Sequence, residues 1–290
     1  MVSPSFVGAP RLLARTVLAV FLSAAFYGVP SAAWAQASDA PPAQAEPQPE
    51  MRENCPGLVA RGRPPAFRLA ALDADQVRLT FIGHSTFLIE SPGGVRIATD
   101  YNDYLKLPGL PDIVTMNHAH ATHYTDHPDV GIRFVLRGWN DDGTPAVHDL
   151  TYQDVRVRSV PTNIRDHAGG TERYGNSIFI FEIANLCIAH LGHLHHTLTQ
   201  QQLNEIGRID VVMAPVDGND TLDLDGMFDV LTALKAQLII PMHFFGWYTL
   251  DRFVDRASKQ WPVEKAEVPS VVVSKATLPK SPKILVLPGF

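Results

Sequence analysis

The sequence predicts an α/β (α+β) domain in which two β-sheets pack together and helices lie outside them. The chain has 290 residues, of which 46% are apolar, so it can bury a sizeable core. Short strand-like runs bounded by turn residues fill the first half of the folded part. In the second half, strand-like runs alternate with helical stretches, which indicates a second, mixed sheet.

Strands dominate the first half because β-branched and aromatic residues alternate between turn signals. Ser91-Pro92-Gly93-Gly94 is a turn between two of these runs. The predicted strands are 77–82, 86–90, 95–99, 113–116, 133–136 and 155–160.

The second half opens with two strands joined across Ala184-Asn185, and helices follow. Thr199 is a plausible cap for the first helix. The predicted strands are 177–183, 186–191, 210–214, 237–241, 270–274 and 283–287, and the predicted helices are 198–206, 224–236 and 249–259.

The N-terminus has the features of an export signal. Arg11 and Arg15 precede an apolar stretch at 17–27, and Ala33-Trp34-Ala35 closes it with small residues where a signal peptidase cleaves. We interpret residues 1–35 as a cleaved signal, which predicts a periplasmic or secreted protein. An uncleaved membrane anchor is the alternative, and the apolar run is short for it.

The folded domain is predicted to cover residues 67–290. Residues 36–66 are rich in Pro, Ala, Gln and Glu without an apolar period, which is typical of a disordered spacer. After signal cleavage we expect no stable membrane insertion, because no later segment is long and apolar enough. The net charge is −6 and basic residues are scattered, which argues against nucleic acid as a partner and leaves a small-molecule substrate.

Three histidines follow the apolar run 113–116 within six residues. His118 and His120 are two residues apart, so in an extended segment their side chains point the same way and can reach one ion together. His123 needs the chain to turn, and would then approach from another side. Three imidazoles at the end of a buried strand indicate a metal site.

Other histidines recur at the same position relative to strands. His167 lies in a loop after the strand 155–160, His193 follows the strand that ends at 191, and His243 follows 237–241. Loops at strand exits are where α/β proteins place their sites, so these histidines are predicted to join the first three. For any one of them alone, a structural histidine would be the better interpretation.

Several segments together resemble the metallo-β-lactamase fold, in its branch of ascorbate-phosphate lactonase-like and phospholipase D-like hydrolases. The matching segments are Ile82-Gly83-His84-Ser85-Thr86-Phe87-Leu88-Ile89-Glu90, Ile97-Ala98-Thr99-Asp100, 118–123, Tyr174-Gly175-Asn176-Ser177-Ile178-Phe179, His190-Leu191-Gly192-His193-Leu194, Pro215-Val216-Asp217-Gly218 and Ile240-Pro241-Met242-His243-Phe244. The resemblance implies a four-layer αββα sandwich of two mixed sheets, with a one- or two-metal site at one edge.

The same resemblance assigns metal ligands. His118, His120 and His167 match the first metal site, His123 and His243 match the second, and His193 takes the bridging position; His123, His193 and His243 form a rival triad. His84 is expected to hydrogen-bond near the site, Asp100 to partner a ligand imidazole, and His195 to line the pocket or help bind metal.

Two departures from the family pattern change the expected chemistry. Thr122 stands where the family cluster has an aspartate, and His193 replaces the bridging aspartate. A neutral imidazole binds one ion and has no negative charge to offset the repulsion between two. We therefore predict one Zn²⁺ and a weak or absent second site, with other divalent transition metals as alternatives. Asp126 is a candidate for the proton-handling role that Thr122 leaves vacant, although a loop-capping or solvent role is also open.

We therefore expect an exported hydrolase that uses a metal-bound hydroxide on an ester, lactone, amide or phosphodiester. The alternative is a catalytically silent periplasmic relative of the same fold that binds a metal or a ligand.

Overall fold

The computed structural model describes residues 71–166 and 168–289, and this part of the chain forms two mixed β-sheets with three helices. The predicted signal 1–35 and spacer 36–66 lie outside the described residues, as does His167. The strands are β1 (Val77–Gly83), β2 (Thr86–Glu90), β3 (Arg96–Ala98), β4 (Ile113–Met116), β5 (Phe134–Arg137), β6 (Asp149–Tyr152), β7 (Val155–Arg165), β8 (Thr171–Ile183), β9 (Leu186–His190), β10 (Val211–Pro215), β11 (Leu238–Met242), β12 (Val263–Lys265), β13 (Ser270–Val273) and β14 (Lys283–Val286). The helices are α1 (Gln200–Ile206), α2 (Leu224–Leu234) and α3 (Trp247–Ala257).

Each sheet combines antiparallel and parallel pairs. The first sheet has the order β13-β1-β2-β3-β4-β5, and the second has the order β12-β14-β11-β10-β9-β8-β7-β6. In the second sheet β6 to β9 are antiparallel, whereas β9, β10, β11, β14 and β12 run parallel. The carboxyl ends of β9 and β11 therefore lie at one edge of that sheet.

The middle of the second sheet is buried on both faces, and β8 shows how its sequence achieves this. Phe179 and Phe181 point into the core between the sheets, while Ile178 and Ile180 point to the side covered by helices. Side chains alternate along a strand, so a continuous apolar run supplies both faces. The helices contribute apolar residues such as Met227 and Phe253 to that outer core.

The outer face of the first sheet is covered differently. Val114 and Met116 of β4 pack there against Ile132 and Trp139, which come from connecting segments. The described residues place no helix on this face. The connection from β3 to β4 contains Pro108-Gly109-Leu110-Pro111, which disfavours helix. The predicted sandwich of two mixed sheets with helices is confirmed, and loops form its fourth layer in the described part.

All predicted strands and helices are present, and the differences lie at edges and ends. β6 and β12 were not predicted, because each is an edge strand with several exposed side chains and no apolar run. β7 and β8 extend past the predicted limits into a long polar hairpin, and α3 begins two residues earlier than predicted. Backbone pairing, and not apolar pattern, extends this hairpin.

Gly192 allows the chain to turn between β9 and His193. Its φ is +61°, and a Cβ at this position would overlap the side-chain amides of Asn117 and Asn176. Asn117 Oδ1 accepts from the Ser177 N–H (2.7 Å), and Asn176 Oδ1 accepts from the His193 N–H (2.8 Å). These two amides therefore cannot shift without breaking bonds that hold the site.

Gly192→Ala is expected to destabilise the protein more than Gly143→Ala. Gly143 has a φ of +72° with open space around it, so alanine there costs only the backbone term of about 1–2 kcal/mol. Overlap with buried amides should add about 1–3 kcal/mol at Gly192. Urea unfolding of both full-length variants measures the difference, and equal losses would contradict the steric argument.

Candidate metal centre

Five imidazoles meet where strands of both sheets end, and we call them the histidine cluster: His84, His120, His123, His193 and His243. His84 lies between β1 and β2, and His120 and His123 follow β4. His193 follows β9 and His243 follows β11. One ring nitrogen from each of the cluster members other than His193 lies within 4.8 Å of the rest, a spacing that could hold a metal ion. His193 Nε2 lies 3.1 Å from His120 Nε2.

The orientation of His123 is set by Asp100. Both side chains are fully buried, and His123 Nδ1 lies 2.6 Å from Asp100 Oδ2. The other carboxylate oxygen accepts from Asn117 Nδ2 (2.9 Å). Since the carboxylate accepts the Nδ1 proton, the His123 lone pair is on Nε2, which faces His84 Nε2 at 3.3 Å. Asp100 was predicted to partner a ligand imidazole; the structure shows its contact with His123, and the metal-binding role of that ring stays a prediction.

Asp217 does the same for His243. The His243 Nδ1 lies 3.0 Å from Asp217 Oδ1, and both residues are buried. Asp217 is itself fixed by backbone N–H groups of Asn219 and Thr221 and by the Thr221 hydroxyl. Within the described residues, neither buried ring nitrogen of His243 has a hydrogen-bond partner, so Asp217 approaches Nδ1 at ion-pair distance without hydrogen-bond geometry and Nε2 faces no partner at all. A buried lone pair without a partner inside a ring of imidazoles suits a metal ligand.

Four of the five imidazoles are held in their neutral form. Burial, followed by the charges of His243 and His120, lowers the pKa of His84 to about 3. Burial also lowers the pKa values of His120, His123 and His193 below the ordinary histidine value. Neutral imidazole is the form that binds a metal, so these rings are ready to do so at neutral pH.

The negative charge of the site lies one layer behind the imidazoles. Burial raises the pKa of Asp100 to about 6, so this carboxyl is ionised at neutral pH. Burial would also raise the pKa of Asp217, but the neighbouring His243 ring and the hydrogen bond from the Thr221 hydroxyl outweigh it and lower that pKa. Two buried carboxylates thus face a cluster of neutral rings, and together they can offset the charge of one divalent cation.

Three residues of the site have left-handed backbone conformations. The φ values are +50° for His84, +43° for Asp100 and +54° for His243. The His243 N–H donates to the His84 carbonyl (2.7 Å), which joins the β1–β2 turn to the end of β11. Side chains rarely adopt this conformation, and its occurrence at three positions around one cluster is typical of a functional site.

A series of hydrogen bonds connects the end of β7 to the histidine cluster. The backbone N–H of Arg165 donates to His195 Nδ1 (2.5 Å), and His195 Nε2 lies 2.5 Å from His193 Nδ1. Beyond His193, the His120 Nδ1 lies 2.8 Å from Thr122 Oγ1. A cavity of about 360 Å³ lies against His120, His193 and His195.

The structure separates His118 and Asp126 from the histidine cluster. The His118 ring stacks on Trp139 with centroids 5.0 Å apart, and its Nδ1 lies 2.7 Å from Glu172 Oε1. The Asp126 side chain is 69% exposed and lies 3.9 Å from Arg137 Nη1. His120, His123, His193 and His243 are brought together as the sequence predicted, while His167 lies outside the described residues.

The sequence analysis gave His84 too distant a role and gave Asp217 none. His84 was expected beside the site, yet one of its ring nitrogens is among the atoms that could bind the ion. Asp217 was recognised only as part of a motif, without a role. A histidine directly after Gly83 in a tight β1–β2 turn, and an aspartate directly after the buried strand β10, were the available signals.

Comparisons with known proteins agree with this geometry. The family model described as beta-lactamase superfamily domain matches residues 78–243. A UPF0173 metal-dependent hydrolase from Nanoarchaeum equitans is 24% identical over 59% of this chain and 85% of its own length. One from Thermoplasma acidophilum is 26% identical over 46% of this chain and 66% of its own length.

Solved structures show the same fold. A candidate Zn-dependent hydrolase of the metallo-beta-lactamase superfamily from Thermotoga maritima has a TM-score of 0.53 at 27% identity, covering 72% of this chain and 98% of its own. Igni18, a metallo hydrolase from Ignicoccus hospitalis, has a TM-score of 0.51 at 20% identity, covering 69% and 99%.

Asp217→Asn is expected to weaken metal binding about 10–100-fold, because loss of a carboxylate behind a ligand imidazole has that typical effect. Asp229→Asn, an exposed change of the same chemistry on α2, is the matched control and should leave affinity unchanged. Calorimetric titration of the metal-free protein with Zn²⁺ measures both. Equal affinities would show that Asp217 does not support a ligand.

Acid should destabilise the metal-free protein through His84. Its pKa is about 3 when folded and 6.5 when free, so the unfolded chain binds more protons between those values and stability falls as the pH drops through that window. His84→Asn should reduce this pH dependence by up to about 1.4 kcal/mol per pH unit. Urea unfolding of both proteins at pH 4.5, 5.5 and 7 tests this, and parallel curves would contradict it.

Proposed function

Because the chain belongs to the beta-lactamase superfamily, we propose that it is a metal-dependent hydrolase whose metal binds at the histidine cluster. One observation carries the proposal: two buried carboxylate–imidazole pairs, Asp100–His123 and Asp217–His243, converge on one point. This arrangement supports ligand imidazoles in metal centres. The names of the relatives, which are metal-dependent hydrolases, agree with it.

His120, His123 and His243 are the proposed ligands, with His84 as a fourth. Nδ1 of His120 and of His123 has a hydrogen-bond partner, and Nδ1 of His243 lies 3.0 Å from Asp217 Oδ1, so each ring can present the lone pair of its Nε2 to an ion. Zn²⁺ suits three imidazoles and an open position, while other divalent transition metals share this preference. When bound, such an ion supplies a Lewis acid and lowers the pKa of water toward neutrality.

One ion is proposed, not two. Thr122 and His193 occupy the positions where the family pattern has carboxylates, and the described residues that could hold an ion are all histidines. Two divalent ions about 3.5–4 Å apart repel strongly unless an anion lies between them. Asp100 and Asp217 offset the charge of one ion, so a second would remain uncompensated.

The proposed substrate is a small molecule with an ester, lactone, amide or phosphodiester bond. The cavity beside His120 and His193 can admit such a group, and its volume of about 360 Å³ is in the range of small-molecule pockets. The chain's own residues would orient the reacting oxygen against the cluster. Asp126 stays a prediction for proton handling, and its exposed position makes direct contact with the cluster dependent on a loop movement.

A silent relative that only binds metal is the second candidate. It is favoured by the lack of a carboxylate among the described residues that could hold the ion, because a proton acceptor beside the nucleophile is then missing. The two candidates agree on metal binding and differ only in turnover.

The purified full chain is expected to bind about one Zn²⁺ and to hydrolyse at least one member of a panel of lactones, esters, phosphodiesters and β-lactams. Activity should disappear on chelation and return with Zn²⁺. His243→Ala should abolish it, while His127→Ala, an exposed histidine outside the cluster, should not. Stoichiometric metal without turnover on any substrate supports the silent relative, and a chain that binds no metal contradicts both.

Export is proposed from residues 1–35. Mass spectrometry of the protein from a bacterial periplasmic fraction should find a mature N-terminus directly after Ala35. A chain that keeps these residues and stays with the membrane or the cytoplasm would contradict cleavage and export.

A further inference from the structure

We propose that His193 acts in this centre as a hydrogen-bond donor and not as a metal ligand, and that His195 is the residue that fixes this role. The inference rests on the proposed function, since it assigns one member of the histidine cluster its part in that site. It reverses the role that the family pattern suggests for position 193, where a carboxylate would bridge two ions.

The direction of the hydrogen bonds starts from the main chain. A backbone N–H can only donate, and the N–H of Arg165 lies 2.5 Å from His195 Nδ1. The Nδ1 of His195 must therefore carry a lone pair. An imidazole that keeps a lone pair on one nitrogen is neutral and carries its single proton on the other, so the His195 proton is on Nε2.

The same reasoning passes to His193 and then to His120. His195 Nε2–H lies 2.5 Å from His193 Nδ1, which has to accept. The His193 proton is then on Nε2, and this N–H points at His120 Nε2 at 3.1 Å. His120 keeps its own proton on Nδ1, where Thr122 Oγ1 accepts it at 2.8 Å. Each ring in the line has one donor and one acceptor, and every contact is matched.

His193 thus differs from His123 and His243 in what stands behind it. Behind those two rings is a carboxylate, which lies 2.6 Å from Nδ1 of His123 and 3.0 Å from Nδ1 of His243 and so favours the proton on Nδ1 and the lone pair on Nε2. Behind His193 is the N–H of His195, which leaves a proton on Nε2 instead. Metal ligation needs a lone pair on the atom that faces the ion, and His193 presents a proton there.

A fixed N–H in this position can donate a hydrogen bond to a bound substrate. If His120 held an ion through its Nε2 lone pair, the N–H of His193 would lose that acceptor while its ring stayed hydrogen-bonded to His195. The cavity of about 360 Å³ lies against both rings, so an oxygen of a bound carbonyl or phosphoryl group is the acceptor within reach. A pre-oriented donor of this kind stabilises negative charge that develops on that oxygen. The inferred substrate class is one whose reacting group carries such an oxygen.

The tautomers can be read directly in the unmodified full chain. Long-range ¹H–¹⁵N spectra of the metal-free protein at pH 7.5 distinguish a protonated ring nitrogen from one with a lone pair. We expect His193 with Nε2 protonated and Nδ1 bare, and His123 and His243 with the opposite pattern. A bare Nε2 on His193 would overturn the proposal without any variant or activity measurement.

Two substitutions at position 195 test whether it is the positioning residue. His195→Gln keeps an N–H near the place of the imidazole Nε2, so the His193 tautomer should be retained. His195→Glu places an acceptor there, so His193 should move its proton to Nδ1 and expose a lone pair on Nε2. Spectra that show the same His193 tautomer in both variants would show that His195 does not set it.

Metal titration separates this inference from the proposed function. His193→Ala should change the Zn²⁺ dissociation constant less than the 10–100-fold that follows loss of support behind a ligand, while His123→Ala should exceed that loss. Circular dichroism checks that each variant is folded, and the spectra of the unmodified chain decide the case if one is not. Wild-type protein that binds no Zn²⁺ refutes the proposed function. Wild-type binding that His193→Ala destroys refutes only the donor role.

Discussion

The site depends on the burial of two carboxylates directly behind two imidazoles. Asp100 follows β3 of the first sheet and is hydrogen-bonded by the Asn117 amide, while Asp217 follows β10 of the second sheet and is hydrogen-bonded by backbone N–H groups of the residues after it. Charged groups in such a dry environment are costly unless they are matched. Neutral imidazole rings lie between these carboxylates and the centre, and a divalent cation bound at the centre would balance the two negative charges.

This arrangement explains how the chain tolerates the loss of carboxylates from the cluster itself. Thr122 and His193 replace acids in the family pattern. The site still holds two negative charges, because Asp100 and Asp217 lie directly behind the rings of His123 and His243. The rings between the acids and the centre also separate those acids from each other. Charge at a distance cannot bridge two ions, so the same substitutions that preserve a mononuclear site disfavour a dinuclear one.

Much of the fold could be predicted from sequence because its strands are apolar runs bounded by turn residues. The strand-exit positions of His120, His123, His193 and His243 followed from the same pattern. The orientation of His118 could not be predicted from this pattern. Its ring contacts Glu172 and Trp139, which come later in the chain, and so points away from the histidine cluster. Nor could the donor and acceptor order around His195 be predicted, since it depends on a backbone N–H of β7 that reaches the ring only in the folded sheet.

The ligands of the proposed centre come from both sheets, with His84, His120 and His123 at the end of one and His243 at the end of the other. The His243 N–H and the His84 carbonyl already connect the two sheets at this edge. An ion held by all four rings would cross-link the two sheets, and its binding free energy would add to the cohesion of the sandwich. Supply of metal in the compartment where the chain folds would then govern how long the folded molecule persists there.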